Sequence, residues 1–99
     1  MPGSKDDLSE ASVVAARPGN ASCELSGEAV VLNLDSGLYH GLNPVGSRVW
    51  ELVQEPRRLD ELRDLLQAEY EVEAERLDAD LRSVLAEMRA AGLIEVRPD

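Results

Sequence analysis

Residues 28–43 read Glu28-Ala29-Val30-Val31-Leu32-Asn33-Leu34-Asp35-Ser36-Gly37-Leu38-Tyr39-His40-Gly41-Leu42-Asn43, and the fold turns on how they are read. Two apolar, β-prone runs flank a three-residue Asp-Ser-Gly loop. Gly37 stands where a type I turn followed by a bulge needs a positive φ. The segment is therefore a β-hairpin, with strands over residues 28–34 and 38–42. The two-residue period puts Val30, Leu32 and Leu34 on one face, which becomes the expected core side. On the return strand Leu38, His40 and Leu42 share a face, with Tyr39 and Gly41 opposite.

Upstream, the β-branched pair Val13-Val14 marks a short strand over residues 11–16, closed by the turn cluster Arg17-Pro18-Gly19-Asn20. Residues 21–25 extend toward the hairpin and stop at Ser26-Gly27. Residues 1–10 are polar and carry Pro, Gly and Ser, which predicts a disordered tail ahead of a domain spanning 11–97. Downstream, Asn43-Pro44 opens a helix, because Asn is a good N-cap and Pro suits the first helical position. Its apolar residues are Val45, Val49, Leu52 and Val53, with Trp50 on the flank, and Pro56 ends it. Leu59, Leu62, Leu65 and Leu66 stripe a second helix that ends near Tyr70. Leu77, Leu81, Val84, Leu85, Met88 and Ala91 stripe a third, stopped before Gly92. Leu93 to Val96 form a short apolar tail that packs back on the core. Strands followed by helices predict an α+β domain in which three antiparallel strands precede three helices.

The composition removes several function classes. Ninety-nine residues hold one modest core and little room for a large cleft or a cofactor domain. The net charge is −10, and the acidity is spread: residues 1–55 carry 3 basic and 8 acidic groups, residues 56–99 carry 7 and 12. Such a surface suits nucleic acid poorly, since that affinity rests on Lys and Arg at phosphates. Cys23 is the single cysteine and His40 the single histidine, so thiolate or imidazole metal centres lack ligands, and no cofactor is expected. A Cys23–His40 nucleophilic pair is arithmetically possible, but an isolated cysteine is more often a small half-buried hydrophobe. The many carboxylates lie on polar helix faces as solvated charges, several spaced to pair with arginines, as Asp78 is with Arg82. No apolar run spans a membrane and no secretion signal opens the chain, so a cytoplasmic protein is expected.

One feature of the pattern points to binding. The third strand of a sequential meander is a sheet edge, and Leu38–Leu42 carries neither the charge nor the Pro that usually blunts one. Gly41 leaves room there for another backbone. Two readings follow: a partner strand adds to this edge, or the tail or a helix shields it.

At these residues the chain resembles the PqqD-like recognition elements for ribosomally made precursor peptides. The resemblance runs through Val31–Asn43, Val45-Gly46, Val49-Trp50, Leu62, Leu65-Leu66, Tyr70, Val84-Leu85, Met88 and Ala91–Ile94. It implies a winged helix-turn-helix-like fold and a non-catalytic protein that binds a precursor's leader region as an added strand. Carried over, the peptide's backbone partners are Leu38, Tyr39, His40, Gly41 and Leu42. Leu77, Asp80, Leu81 and Val84 of the third helix form the facing wall. A free-standing chain of this size is most similar to the leader-binding subunit of lasso peptide biosynthesis, whose partners are a leader-cleaving cysteine protease and an ATP-dependent cyclase. A PqqD-type chaperone for a radical-SAM enzyme of pyrroloquinoline quinone synthesis is the alternative. A winged-helix DNA-binding regulator is the alternative from another class.

Overall fold

A computed structural model of the chain describes residues 8–97. The hairpin and its neighbour form a three-stranded antiparallel sheet, β2 (Asn20–Leu25), β3 (Glu28–Asn33) and β4 (Leu38–Gly41), in that order. Ser26 and Gly27 both take positive φ, the geometry of a tight two-residue turn, and pair Leu25 with Glu28. At the β3–β4 turn Gly37 has φ +75° and donates its N–H to the Asn33 carbonyl at 2.7 Å. The Asn33 side-chain oxygen accepts from the amides of Asp35 and Ser36, so one side chain shapes the loop.

Three helices follow: α1 (Pro44–Leu52), α2 (Leu59–Glu69) and α3 (Ala74–Ala90). Asn43 caps α1 by accepting the Gly46 N–H at 2.7 Å, with Pro44 in the first turn. Asp60 and Glu61 sit in the first turn of α2, where carboxylates meet the positive end of the helix dipole. Gly92, at φ +78°, reverses the chain after α3, and the Leu93 N–H reaches back to the Met88 carbonyl. The core gathers Val14, Val31, Val49, Val53, Leu59, Leu62, Leu66, Leu81 and Leu85 from every layer. The α+β class and the order of the meander before three helices are as the sequence predicts.

Three details differ. The strand over residues 13–16 (β1) is not part of the meander. It is the centre of a second small sheet, flanked by β5 (Arg57–Arg58) and β6 (Ile94–Arg97). Thus the apolar tail does return to the core, but as a strand paired antiparallel with β1. Second, the core face of β3 is Ala29, Val31 and Asn33, not Val30, Leu32 and Leu34. Val31 is fully buried, Asn33 is buried, and Leu34 is 60% exposed. Leu34 already lies in the turn, and the alternation it seemed to continue belongs to the outward face. Third, Leu8, Ser9 and Glu10 are built into the fold, although the expected tail ran to residue 10. Leu8 is buried in the core, Ser9 bonds to Ser12, and Glu10 pairs with Arg63 and Arg82. Residues 1–7 of that tail lie outside the described residues.

Candidate functional site: a sheet edge beside a groove

The sheet order leaves β4 as an edge, and the ladder defines which of its groups are free. The register pairs Val30 with Gly41, Val31 with His40, Leu32 with Tyr39 and Asn33 with Leu38. The Leu42 N–H donates to the Ala29 carbonyl at 2.9 Å. In an antiparallel ladder bonded and non-bonded pairs alternate, so residues 40 and 42 turn their backbone groups toward β3, while the Leu38 N–H donates to the Ser36 hydroxyl at 3.2 Å. Tyr39 and Gly41 turn theirs outward. Their two N–H and two C=O groups form the open edge.

The ladder is closed at its end by a side chain. The Ser47 hydroxyl donates to the Leu42 carbonyl at 3.1 Å and accepts the Ala29 N–H at 2.8 Å. It bridges the pair of backbone groups that the strands do not join directly. This bridge ties the end of β4 to the first turn of α1 and holds the edge at a constant distance from the helices.

Side chains divide by the same alternation. His40 shares the inner face with Val31, whereas Tyr39 shares the outer face with Leu32 and is 71% exposed. Cys23 pairs with Val30 and is exposed. Cys23 and His40 therefore project from opposite faces of the sheet, on its two outer strands, and cannot form a nucleophile–base pair. Among the described residues no group of three or more potential metal ligands converges.

Beside the edge lies a groove of about 450 Å³ between β4 and the C-terminal half of α3. Tyr39, His40, Gly41 and Leu42 form one wall, Val84, Glu87, Met88 and Ala91 the other. Asn43, Gly46 and Leu93 close the rest of it. Gly46 keeps this corner tight. A Cβ there would come within 3.2 Å of the capping oxygen of Asn43 and 3.4 Å of the Leu42 Cβ. A second depression continues along α3, lined by Asp80, Ser83, Val84 and Glu87 together with Asn43 and Val45.

The residues expected from the sequence distribute as follows. Tyr39, His40, Gly41, Leu42 and Val84 come together at the groove, and Asp80 lines its continuation. Leu38 begins the strand, 60% exposed and outside the lining. Leu77 and Leu81 are not brought to the groove: they are 3% and 0% exposed, packed in the core. The reason is rotation about the helix axis. Positions 77, 81, 85 and 88 are the buried stripe. The groove flank is the neighbouring line through 80, 84, 87 and 91, about 100° away. Glu87, Met88, Ala91, Leu93, Asn43 and Gly46 were not anticipated. The i, i+4, i+7, i+11 spacing of Asp80, Val84, Glu87 and Ala91 is the signal that could have found two of them, Glu87 and Ala91.

The model of the family described as "Coenzyme PQQ synthesis protein D (PqqD)" matches residues 28–94, which begins at β3 and ends at the start of β6. The chain belongs to the PqqD family. Two solved structures of similar fold belong with this finding. TbiB1 in complex with the TbiA(beta) leader peptide is 35% identical, with 86% of this PqqD-family chain and 99% of that one covered, at a TM-score of 0.77. Lasso peptide synthetase B1 complexed with the leader peptide is 21% identical, with 83% and 96% covered, at a TM-score of 0.72, a likeness of fold. A comparison with curated proteins found no match. Among the described residues of this PqqD-family chain, no helix is long and apolar enough to cross a membrane.

Proposed function

We propose that this chain is a non-catalytic binding protein that captures the leader region of a ribosomally made precursor peptide as a strand added to β4. It then presents the peptide to a leader-cleaving cysteine protease in lasso peptide biosynthesis, with an ATP-dependent cyclase acting afterwards. The precursor is a fresh ribosomal product, so the encounter belongs in the cytoplasm. The observation that carries the reading is the β4 edge, where Tyr39 and Gly41 offer four outward backbone groups beside a groove of about 450 Å³. The likeness to TbiB1, which is 35% identical over nearly the whole of that chain, supports the lasso assignment over the pyrroloquinoline quinone one. Strand addition uses main-chain hydrogen bonds for affinity and side-chain pockets for specificity, which is a division this site can supply.

The test is an amide NMR titration with the TbiA(beta) leader peptide and with the leader of a second lasso precursor. Binding should shift the Tyr39 and Gly41 amides most and slow their exchange with solvent. Saturable binding that leaves both amides unmoved would overturn strand addition. Presentation is tested separately: adding the chain should accelerate cleavage of a lasso precursor by a leader-cleaving cysteine protease. An unchanged rate at saturating chain would remove the presenting role.

A further inference from the structure

The two walls of the groove differ in chemistry. On the strand side, His40 Nε2 is buried and has no hydrogen-bond partner among the described residues. A buried nitrogen left in this state is a standing cost that an occupant can relieve. On the helix side, Asp80 and Glu87 stand two turns apart on the same flank of α3, both exposed. Neither forms an ion pair among the described residues, whereas Asp78, on another face of the same helix, is held by Arg63 and Arg82. No Lys or Arg lines the groove or its continuation. Between the polar groups the surface is apolar, formed by Val84, Met88, Ala91 and Leu93.

We propose that the groove selects a peptide with a basic side chain on its groove-facing side, placed between His40 Nε2 and the Glu87–Asp80 flank of α3. This rests on the strand-addition reading and names the chemistry of its ligand. A carboxylate in the same place would meet two unpaired carboxylates. A hydroxyl could satisfy Nε2 but would gain nothing from Glu87 and Asp80. A Lys or Arg pairs with one of the two carboxylates, which stand about 10 Å apart along the helix, and keeps its stem on the apolar floor. Its methylene stem lies along Val84 and Met88, and its charged end faces the imidazole edge and a helix carboxylate. In an added strand successive side chains alternate between the groove and the outer sheet face, so the preference belongs to alternate peptide positions only.

The experiment is a positional-scanning library built on the TbiA(beta) leader, selected on the immobilised chain and followed by titration of single peptides. Lys or Arg should be enriched at one or two positions of a single parity. There it should bind about three- to tenfold tighter than Gln, the range of a partly exposed interfacial charge pair. In the E87Q/D80N double variant this ratio should fall to near one, and His40→Leu should reduce it in part. The variants' amide spectra report that the fold is kept. Peptides that bind without a basic preference, or a preference that survives in E87Q/D80N, would overturn the inference and leave strand addition standing. No enrichment of any peptide would overturn both.

Discussion

Asn33 joins the hairpin to the end of α3. Its side-chain oxygen accepts two turn amides, and its amide nitrogen donates to the Ala91 carbonyl at 3.2 Å. Replacement by Ala removes three part-buried hydrogen bonds at once, so Asn33→Ala should destabilise the fold by about 1–3 kcal/mol. The neighbouring Leu34→Ser, at an exposed turn position, should stay within about 0.5 kcal/mol. Urea unfolding of the two variants checks the contrast, and equal losses would contradict the burial assignment. Gly92→Ala belongs with Asn33→Ala. Its Cβ would meet the Asn33 amide nitrogen at 2.9 Å, at a φ that disfavours any side chain. Expecting Leu34 inside and Asn33 outside was reasonable from alternation, because apolar residues are usually the buried set. What alternation does not carry is the hydrogen-bonding demand of the turn, which draws a polar residue inward.

At the scale of elements, the sequence marks the helices better than the strands. Asn43-Pro44, Gly92 and the leucine spacings mark three helices where they are observed, although α1 ends at Leu52, ahead of the expected stop at Pro56. The groove flank of α3 is less legible, because residues lining an open groove follow no pattern that burial imposes. Another tie between elements is electrostatic. Arg63 on α2 pairs with Glu10 and Asp78, and Arg82 on α3 pairs with the same two carboxylates. Arg82 also donates to the Leu8 carbonyl, so the cluster straps the N-terminal segment to both helices. Burial alone would raise the Asp78 carboxyl, but hydrogen bonds from Arg82 and Arg63 outweigh it and hold it below its ordinary 3.8. Glu10 is held below its ordinary 4.5, chiefly by the hydrogen bond from Arg63. Groups whose folded pKa is depressed contribute stability above their unfolded values and lose it as pH falls through the folded ones. Stability measured by urea unfolding should therefore begin to decline below about pH 4.5. Asp78→Asn should be less stable at neutral pH and show a shallower acid limb. Glu69, whose carboxyl Arg48 lowers in the same way, sharpens the comparison: Glu69→Gln should leave the Asp78 part of that limb in place. An acid limb unchanged by Asp78→Asn would mean the strap contributes nothing to folding.

For the molecule as a whole, the element least readable in advance was the second sheet. β1 and β6 lie near opposite ends of the chain, and four-residue strands carry too little periodicity to declare their partners. That sheet matters to function indirectly: pairing β6 with β1 draws Leu93 and the end of α3 under the groove. The fold then holds β4 in place before any peptide arrives, so binding should appear as added stability of the whole domain. A ligand that binds only the folded chain, present at a hundred times its Kd, adds about 2.7 kcal/mol. For a domain of this size that corresponds to a rise in Tm of roughly 10–20 °C. The TbiA(beta) leader peptide, or the leader of a second lasso precursor, should produce such a concentration-dependent rise in a thermal scan. Tyr39→Pro removes one outward N–H without touching the β3 ladder, so its own Tm should stay near that of the unaltered chain while the peptide-induced rise shrinks. His40→Pro would instead break the hairpin itself and lower Tm in the absence of peptide. Duplex DNA at low salt should give no rise, since a net charge of −10 opposes a polyanion. A rise with DNA and none with either leader would replace the peptide-binding reading with a nucleic-acid one.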